Sequence, residues 1–528
     1  MLGGSVCQAQ NFNESVEVTN DLVVDLSGST RKTIDMEVPD SVSRFDLNFD
    51  YSVFAKPYQG AYEFTPYNVL FRPVTALEKR PQLYLSVGAG YAFTPELTAV
   101  WSPRTKKGKF YLDIYQDFDG YLGKYNGNGA YYSGYDLNEL FGVHGRSFLK
   151  YLDLDFNAFY NGIWARDFAL SGRGYQSFGG QLTLGSGDRD VKALAWALNA
   201  DYHLGIESDA PASFTENAVK VSGFFAPVFV RNIDPAWNLK IDYKAGGVFF
   251  GGDVNDSAGY LSLEPKVEYA KDKLHARAGF KFWFCEGVGV IPDVEVSYLM
   301  FKKSLNLYAG VTGDTFINSY YDYKTANHHF SSQYFTSETA GAYVSQAREI
   351  VNAHIGVRGC VSSYLEYGAK AGYAIRANSP LYGLADADSN QALLVLGKYG
   401  YWYVNPSVTW KSRSVEVNAD ALFREVKLKG DYDVFTPESF RAHLDVTCNS
   451  MNRMFAGISL DYVGPRTSQV YASRPGYFDL GLHAEARLTS EITLWLRGGN
   501  LLNQKVEDVP FTGRRLPCAT LGIRMILR

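Results

Sequence analysis

Apolar and polar residues alternate with a period of two along most of this chain. In Leu152-Asp153-Leu154-Asp155-Phe156-Asn157-Ala158-Phe159, one face carries Leu152, Leu154, Phe156 and Ala158 and the other Asp153, Asp155 and Asn157. Val415, Val417, Ala419, Ala421 and Phe423 oppose Glu416, Asn418 and Asp420 in the same way. Leu480, Leu482, Ala484, Ala486 and Leu488 oppose Asp479, His483, Glu485 and Arg487. Successive side chains of a strand point to opposite faces, so each segment predicts a strand between an apolar medium and water.

Soluble sandwiches alternate too, and the connections separate the two cases. From about residue 292 onward they alternate in length. Short polar turns are expected at residues 302–304, 360–363, 411–413, 449–452 and 489–491, with long connections at 313–345, 377–391, 429–438, 464–477 and 499–516. Transmembrane barrels sort their connections this way, with tight turns in the periplasm and long loops outside, and the last strand, 518–528, ends on the short-turn side. The predicted fold class is therefore all-β, a transmembrane antiparallel β-barrel. Counting segments from Leu83 gives about 21; even parity raises this to roughly 22 strands, or 16 to 20 if weak segments merge. The Tyr-rich stretch 120–146 falls on the wrong side by parity and is where a missed or false strand is expected. Closure is required because each unpaired backbone group in hydrocarbon costs several kcal/mol. Tyr111, Tyr115, Trp164, Trp283, Trp402, Trp410 and Trp495 are expected near strand ends, where amphipathic rings anchor at the headgroups.

Composition agrees with this reading. Apolar residues make up 46% and charged ones 20%, which excludes a disordered polymer, and 38 Tyr, 34 Phe and 50 Gly against six Met favour strands over helices. The longest apolar runs, such as 223–230, are too short for a spanning helix, so any membrane crossing rests on strands. The net charge of -5, with both signs interspersed, argues against nucleic acid as a partner. No composition shift divides the 528 residues into separate domains.

Leu2-Gly3-Gly4-Ser5-Val6-Cys7-Gln8-Ala9-Gln10 reads like the end of a secretory signal, with small Cys7 and Ala9 at leader-peptidase spacing. Residues 1–10 are expected to be a signal-peptide remnant, 11–82 an N-terminal periplasmic or lumen segment, and 83–528 the barrel. Cys7, Cys285, Cys360, Cys448 and Cys518 form no CxxC, so neither a zinc site nor a disulfide framework is indicated. Val6 ahead of Cys7 argues against lipid anchoring.

Near the C-terminus, Ile492-Thr493-Leu494-Trp495-Leu496-Arg497-Gly498-Gly499-Asn500-Leu501-Leu502-Asn503-Gln504-Lys505, followed by Gly513-Arg514-Arg515 and a final strand, resembles the closing hairpin of TonB-dependent receptors. There an Asn-Leu-Leu-Asn-Lys-type turn and a Gly-Arg pair precede the terminal strand. The resemblance implies a 22-stranded barrel in the Gram-negative outer membrane that acts in nutrient uptake. The chain ahead of Leu83 is too short for the plug domain that family members place there, so the barrel is expected to be plug-less. It also ends Met525-Ile526-Leu527-Arg528, where outer-membrane strands commonly finish on Phe or Trp. Phe45, Leu47, Phe49, Tyr51 and Val53 alternate and a Pro- and aromatic-rich stretch, 56–67, follows. This region is expected at the periplasmic mouth or in the lumen, in place of a plug.

Candidate chemistry is sparse. His144, His203, His275, His328, His329, His354, His443 and His483 make no HExxH motif, and the His328-His329 pair is expected to be solvated in a polar loop. Asp386-Ala387-Asp388-Ser389-Asn390 begins like a calcium loop but lacks its Gly and Glu, and reads as a surface loop. Loops rich in Tyr and Asn at 125–135 and 320–335 are able to stack on sugars or a partner, though packing is favoured. No residue is assigned as catalytic, cofactor-binding or metal-ligating. The expected function is uptake or transport by an outer-membrane barrel, or service as the barrel subunit of an outer-membrane complex. A structural or assembly partner without transport, and a barrel enzyme, are the alternatives. Expected partners are outer-membrane lipids and an envelope protein or surface lipoprotein, and loops, the N-terminal segment or a second protein are expected to fill the lumen.

Overall fold

The computed structural model describes residues 82–103, 110–127, 130–149, 152–166, 173–186, 194–208, 214–252, 256–285, 287–301, 304–316, 319–330, 347–361, 364–384, 392–450, 453–504, 506 and 514–527. The expectations for 1–10, for 11–82 apart from Gln82, and for the calcium-like sequence at 386–390 lie outside the described residues, and the expected absence of a plug concerns those same N-terminal residues.

The strands in chain order are β1 (Leu83–Tyr91), β2 (Glu96–Trp101), β3 (Phe110–Gly127), β4 (Ala130–Phe148), β5 (Asp153–Arg166) and β6 (Arg173–Gly185). Then come β7 (Leu194–Ser208), β8 (Phe214–Pro227), helix α1 (Phe229–Ile233), β9 (Trp237–Gly252), β10 (Ser257–Lys271), β11 (Leu274–Phe284), β12 (Val288–Met300) and β13 (Leu305–Phe316). Helix α2 (Tyr320–Ala326) precedes β14 (Ala347–Val361), β15 (Leu365–Leu384), β16 (Ala392–Lys411), β17 (Val415–Leu428) and β18 (Phe440–Ser450). The chain finishes with β19 (Met454–Val463), β20 (Tyr477–Arg487), β21 (Ile492–Gly499), β22 (Arg514–Arg515) and β23 (Cys518–Leu527). All belong to one antiparallel sheet. The two-residue β22 bridges to the end of β3, and the other 22 strands close into a ring through β1, which pairs with both β2 and β23. The predicted class and strand number are borne out.

Parity is restored by the stretch that had broken it. Residues 120–146 hold the end of β3 and most of β4, paired from Phe110↔Ser147 to Gly127↔Ala130. The expected Tyr-rich loop at 125–135 is therefore a strand pair. The expected long connection at 377–391 is also corrected, since β15 continues to Leu384. Its register shifts between Arg376 and Ser379 around Asn378, whose φ is 51°. Such a bulge breaks the alternation without ending the strand.

Period two places the apolar set outside. Along β19, Met454, Ile458 and Tyr462 share a face, and Met454 and Ile458 are 61% and 48% exposed. Leu521 and Ile523 on β23, Val294 and Val296 on β12 and Ile241 and Phe249 on β9 are likewise exposed. Exposed valines and isoleucines in a closed sheet fit lipid, not water. On this basis Ile458→Arg, midway along β19, is expected to cost about 2–4 kcal/mol in lipid vesicles, whereas Ser459→Arg on the luminal face should cost less than about 1 kcal/mol. Equal losses from the two variants, measured by denaturant unfolding, would put lipid on both faces or on neither.

Aromatic rings mark the upper edge of this band. Phe423, Phe440, Tyr462 and Phe478 stack across β17 to β20 with centroids 4.4, 5.5 and 4.5 Å apart, and Tyr373 meets Trp402 at 4.7 Å on β15 and β16. From Trp402 to Trp410 on β16 the strand rises about 26 Å, or about 20 Å after tilt, close to the hydrocarbon band of such barrels. β15 and β16, at 20 residues each, continue well above it. The expected interfacial aromatics divide by face: alternation sets Trp164, Trp402 and Trp410 outside, and Tyr111, Tyr115, Trp283 and Trp495 on the luminal face.

The inward turn of Trp495 secures the closure. Trp495, Gly522 and Gly88 lie on one register line across β21, β23 and β1. The indole covers both glycines, where an added Cβ would overlap the ring, and its Nε1–H donates to Ser86 Oγ at 2.9 Å. Trp495 is 2% exposed. β1 and β23 then pair over nine residues from Leu83↔Leu527 to Tyr91↔Ala519.

Candidate functional site

The luminal face is polar and largely self-compensated on one side. On β8 to β14, Lys281 Nζ lies 2.8 Å from Asp314 and 3.4 Å from Glu264, Lys244 lies 3.1 Å from Asp314, and Lys266 pairs with Asp242. Arg277 Nε lies 3.1 Å from Asp293, and His354 lies 3.7 Å from Glu295. Each charge in this belt has a partner, which offsets part of the cost of taking it out of bulk water. The strand-borne histidines also face the lumen: His144 lies 2.9 Å from Asp155 and His443 2.8 Å from Asp461, while His483 contacts Thr447 at 2.9 Å.

Into this lumen folds the segment between β13 and β14. Its described part, 319–330, begins with a capping box: Ser319 Oγ accepts from Asp322 N, and Asp322 accepts from Ser319 N at 2.8 Å. About two turns of helix α2 follow. Both backbone donors at its start are taken by a carboxylate of the wall, since Tyr320 N donates to Glu216 Oε1 at 2.6 Å and Tyr321 N to Glu216 Oε2 at 3.0 Å. A buried anion is favoured there because the first N–H groups of a helix lack intrahelical acceptors. Glu216 itself is wholly buried.

The rest of the segment, here termed the strap, is fixed by further bonds. Tyr320 Oη donates to Glu207 at 2.7 Å, and Lys220 Nζ lies 2.7 Å from Asp322. Lys324, 1% exposed, donates to the Phe330 carbonyl at 2.7 Å and stands 3.7 Å from Glu207. His328 Nδ1 lies 2.6 Å from Asp136 on β4, and the His329 ring meets Tyr125 on β3 edge-on at 5.9 Å. Tyr320, Tyr323 and Phe330 form a core with Tyr175, Phe214, Ala218, Val248 and Phe250 of β6, β8 and β9, and Tyr382 and Leu396 of β15 and β16 pack on the same core. The strap thus joins wall sectors that stand far apart around the ring.

Two expectations are corrected here. The His328-His329 pair is not solvated, because the strap buries it against β3 and β4. Of the Tyr-rich stretch 320–335, Tyr320 and Tyr323 are buried in the core and unavailable for stacking on sugars, while 331–335 lies outside the described residues. The Ser-Tyr-Tyr-Asp at 319–322 was the one local signal for α2, a capping-box pattern with Asp in place of Glu.

Burial pushes the His328 imidazole down to about 4, against the pull of Asp119, and pushes the Tyr321 phenol up to about 12 with help from Asp322. With burial the largest influence, the docked strap disfavours the imidazolium even though the Asp136 carboxylate lies 2.6 Å from Nδ1, whereas a released strap would leave His328 near the ordinary value of about 6.5. Docking keeps its full strength above that ordinary value and weakens as pH falls from there towards 4. Channel openings are expected to become more frequent at pH 5 than at pH 7.5, and His328→Asn should flatten the difference. An identical pH response in the variant would remove His328 as its source.

No protein-family model matches this chain, and no curated protein matches it by sequence. Solved structures do match by shape. The FrpB iron transporter from Neisseria meningitidis, in its F5-1 apoprotein form, superposes with a TM-score of 0.66 at 9% identity, covering 85% of this chain and 82% of that one. A mutant of the ferric enterobactin receptor PfeA from Pseudomonas aeruginosa gives 0.62 at 11% identity, covering 84% and 80%, and the copper transporter OprC gives the same values. At such identity the likeness is one of fold. With the closed ring, apolar exterior and aromatic belt, it makes this chain an integral protein of the Gram-negative outer membrane whose barrel has the fold of TonB-dependent receptor barrels.

Proposed function

We propose that this barrel takes up small solutes across the outer membrane through a lumen that the strap narrows near the ends of β3, β4, β7 and β8. The observation that carries this reading is the strap itself, docked on Glu216 and packed between β6 to β9 on one side and β15 to β16 on the other. A wall built only to hold partners has no use for a polar interior crossed by a buried, charge-anchored segment. The neighbours in fold are described as iron and copper transporters and a ferric enterobactin receptor, which supports transport and makes metal complexes sensible first test solutes. Planar-bilayer recording tests the reading. The wild type should give small unitary steps and a strap-released barrel larger ones; no step from either, with both folded, would overturn it.

A further inference from the structure

The wall beneath the strap is built like a receptor for the groups the strap places there. Glu207 and Glu216 are 4% and 0% exposed, and the strap meets them with a phenol, two backbone N–H groups and the ammonium of Lys324. A fully buried lysine and two buried carboxylates are costly to assemble, and removing one partner leaves an uncompensated charge. The patch also has capacity that the strap leaves unused. Asn161, opposite Ser177 across β5 and β6 and 7% exposed, finds no hydrogen-bond partner for its Oδ1 among the described residues, whereas the buried Ser177 hydroxyl is hydrogen-bonded with Tyr175 and His203 Nε2 lies 3.5 Å from Glu216. Ser177 is opposite Gly205 on β7, two residues before Glu207 on the same face, and Glu207 is opposite Tyr175. Tyr175 and Phe214 supply aromatic walls at the same level.

We propose that Glu207, Glu216 and Asn161 form a binding site for an organic cation that also donates hydrogen bonds, an alkylammonium or guanidinium compound, and that the strap occupies this site with Lys324 and its own N–H groups. The assignment rests on the transport reading and adds to it that the strap leaves the lumen when solute passes. Carboxylates match the cation, Asn161 Oδ1 accepts a remaining N–H group, and the rings of Tyr175 and Phe214 attract its charge. Among the described residues no group of His, Cys, Asp and Glu is placed to hold a metal ion.

The test uses the full chain in detergent with 1,4-diaminobutane as probe, titrated calorimetrically into the wild type, into a variant with residues 319–330 replaced by a Gly-Ser linker, and into Lys324→Ala. The wild type should show no binding and both variants should bind. Adding Glu207→Gln should weaken that binding by about tenfold, the scale of one charge-assisted contact. A folded linker variant that binds no diamine, or binds it equally well with Glu207→Gln, overturns the proposal; should the linker variant fail to fold, the same two outcomes in Lys324→Ala decide. Conductance of the same samples separates this site from transport. Raised conductance without binding refutes the site alone, and binding without conductance supports the site while refuting the transport reading.

Discussion

Glu216→Ala is expected to pass several times more current per channel than the wild type at neutral pH. In this variant the N–H groups of Tyr320 and Tyr321 and, at 3.3 Å, the Tyr175 hydroxyl lose their acceptor, and the buried His203 loses the carboxylate 3.5 Å from its Nε2. Each donor left unpaired in a buried setting costs about 1–3 kcal/mol, so the docked state loses enough to compete poorly with a solvated strap. The ring should be unaffected, because β8 keeps its ladders to β7 and β9. Glu425→Ala, at a side chain 69% exposed on β17, serves as control and should leave conductance unchanged. Glu216→Gln retains one good acceptor and should fall between. Wild-type conductance from a folded Glu216→Ala barrel would show that the strap does not set the opening.

The second large effect concerns the seam. Gly522→Leu is expected to abolish the compact, heat-resistant band on unheated gels, or to lower the unfolding temperature by more than any single lipid-facing substitution. A side chain at 522 meets the Trp495 ring on one side and the Val87 carbonyl, 2.5 Å from the Cβ position, on the other. A flexible neighbour yields to such crowding, but backbone and a ring already 2% exposed have nowhere to move, and overpacking costs about 1–3 kcal/mol or more. Trp495→Ala empties the space instead, losing the bond to Ser86 and the cover over two glycines, at about 3–5 kcal/mol. If Gly522→Leu stayed as stable as the wild type, the indole would not be holding the closure.

Much of the barrel was legible because its signal is local. Val415 to Ala421 alternates without interruption and opens β17, and turns such as 411–413 coincide with strand ends to within a residue or two. Legibility failed where one residue altered the phase. Asn378 in a left-handed conformation hides the upper part of β15, and the spacing of only two residues between Gly127 and Ala130 let β3 and β4 read as one ambiguous stretch. The strap was not legible at all beyond its capping box. Its inward course depends on Glu216, 104 residues from Tyr320, and on Asp136, 192 residues from His328, and hydrophobic periodicity carries no information about pairings of that range.

Connection lengths distribute unevenly around the ring. At the end of the barrel bearing the strap, β1 to β12 are joined across gaps as brief as 92–95, 128–129 and 285–287, whereas those at 317–346, 429–439, 464–476 and 500–517 all fall between β13 and β23. An antibody or bacteriophage approaching the cell from outside would thus find little to grip on one arc beyond the long strands β3 and β4. Epitopes and adsorption determinants should concentrate on the other, and sequence drift under immune or phage pressure should be sought there.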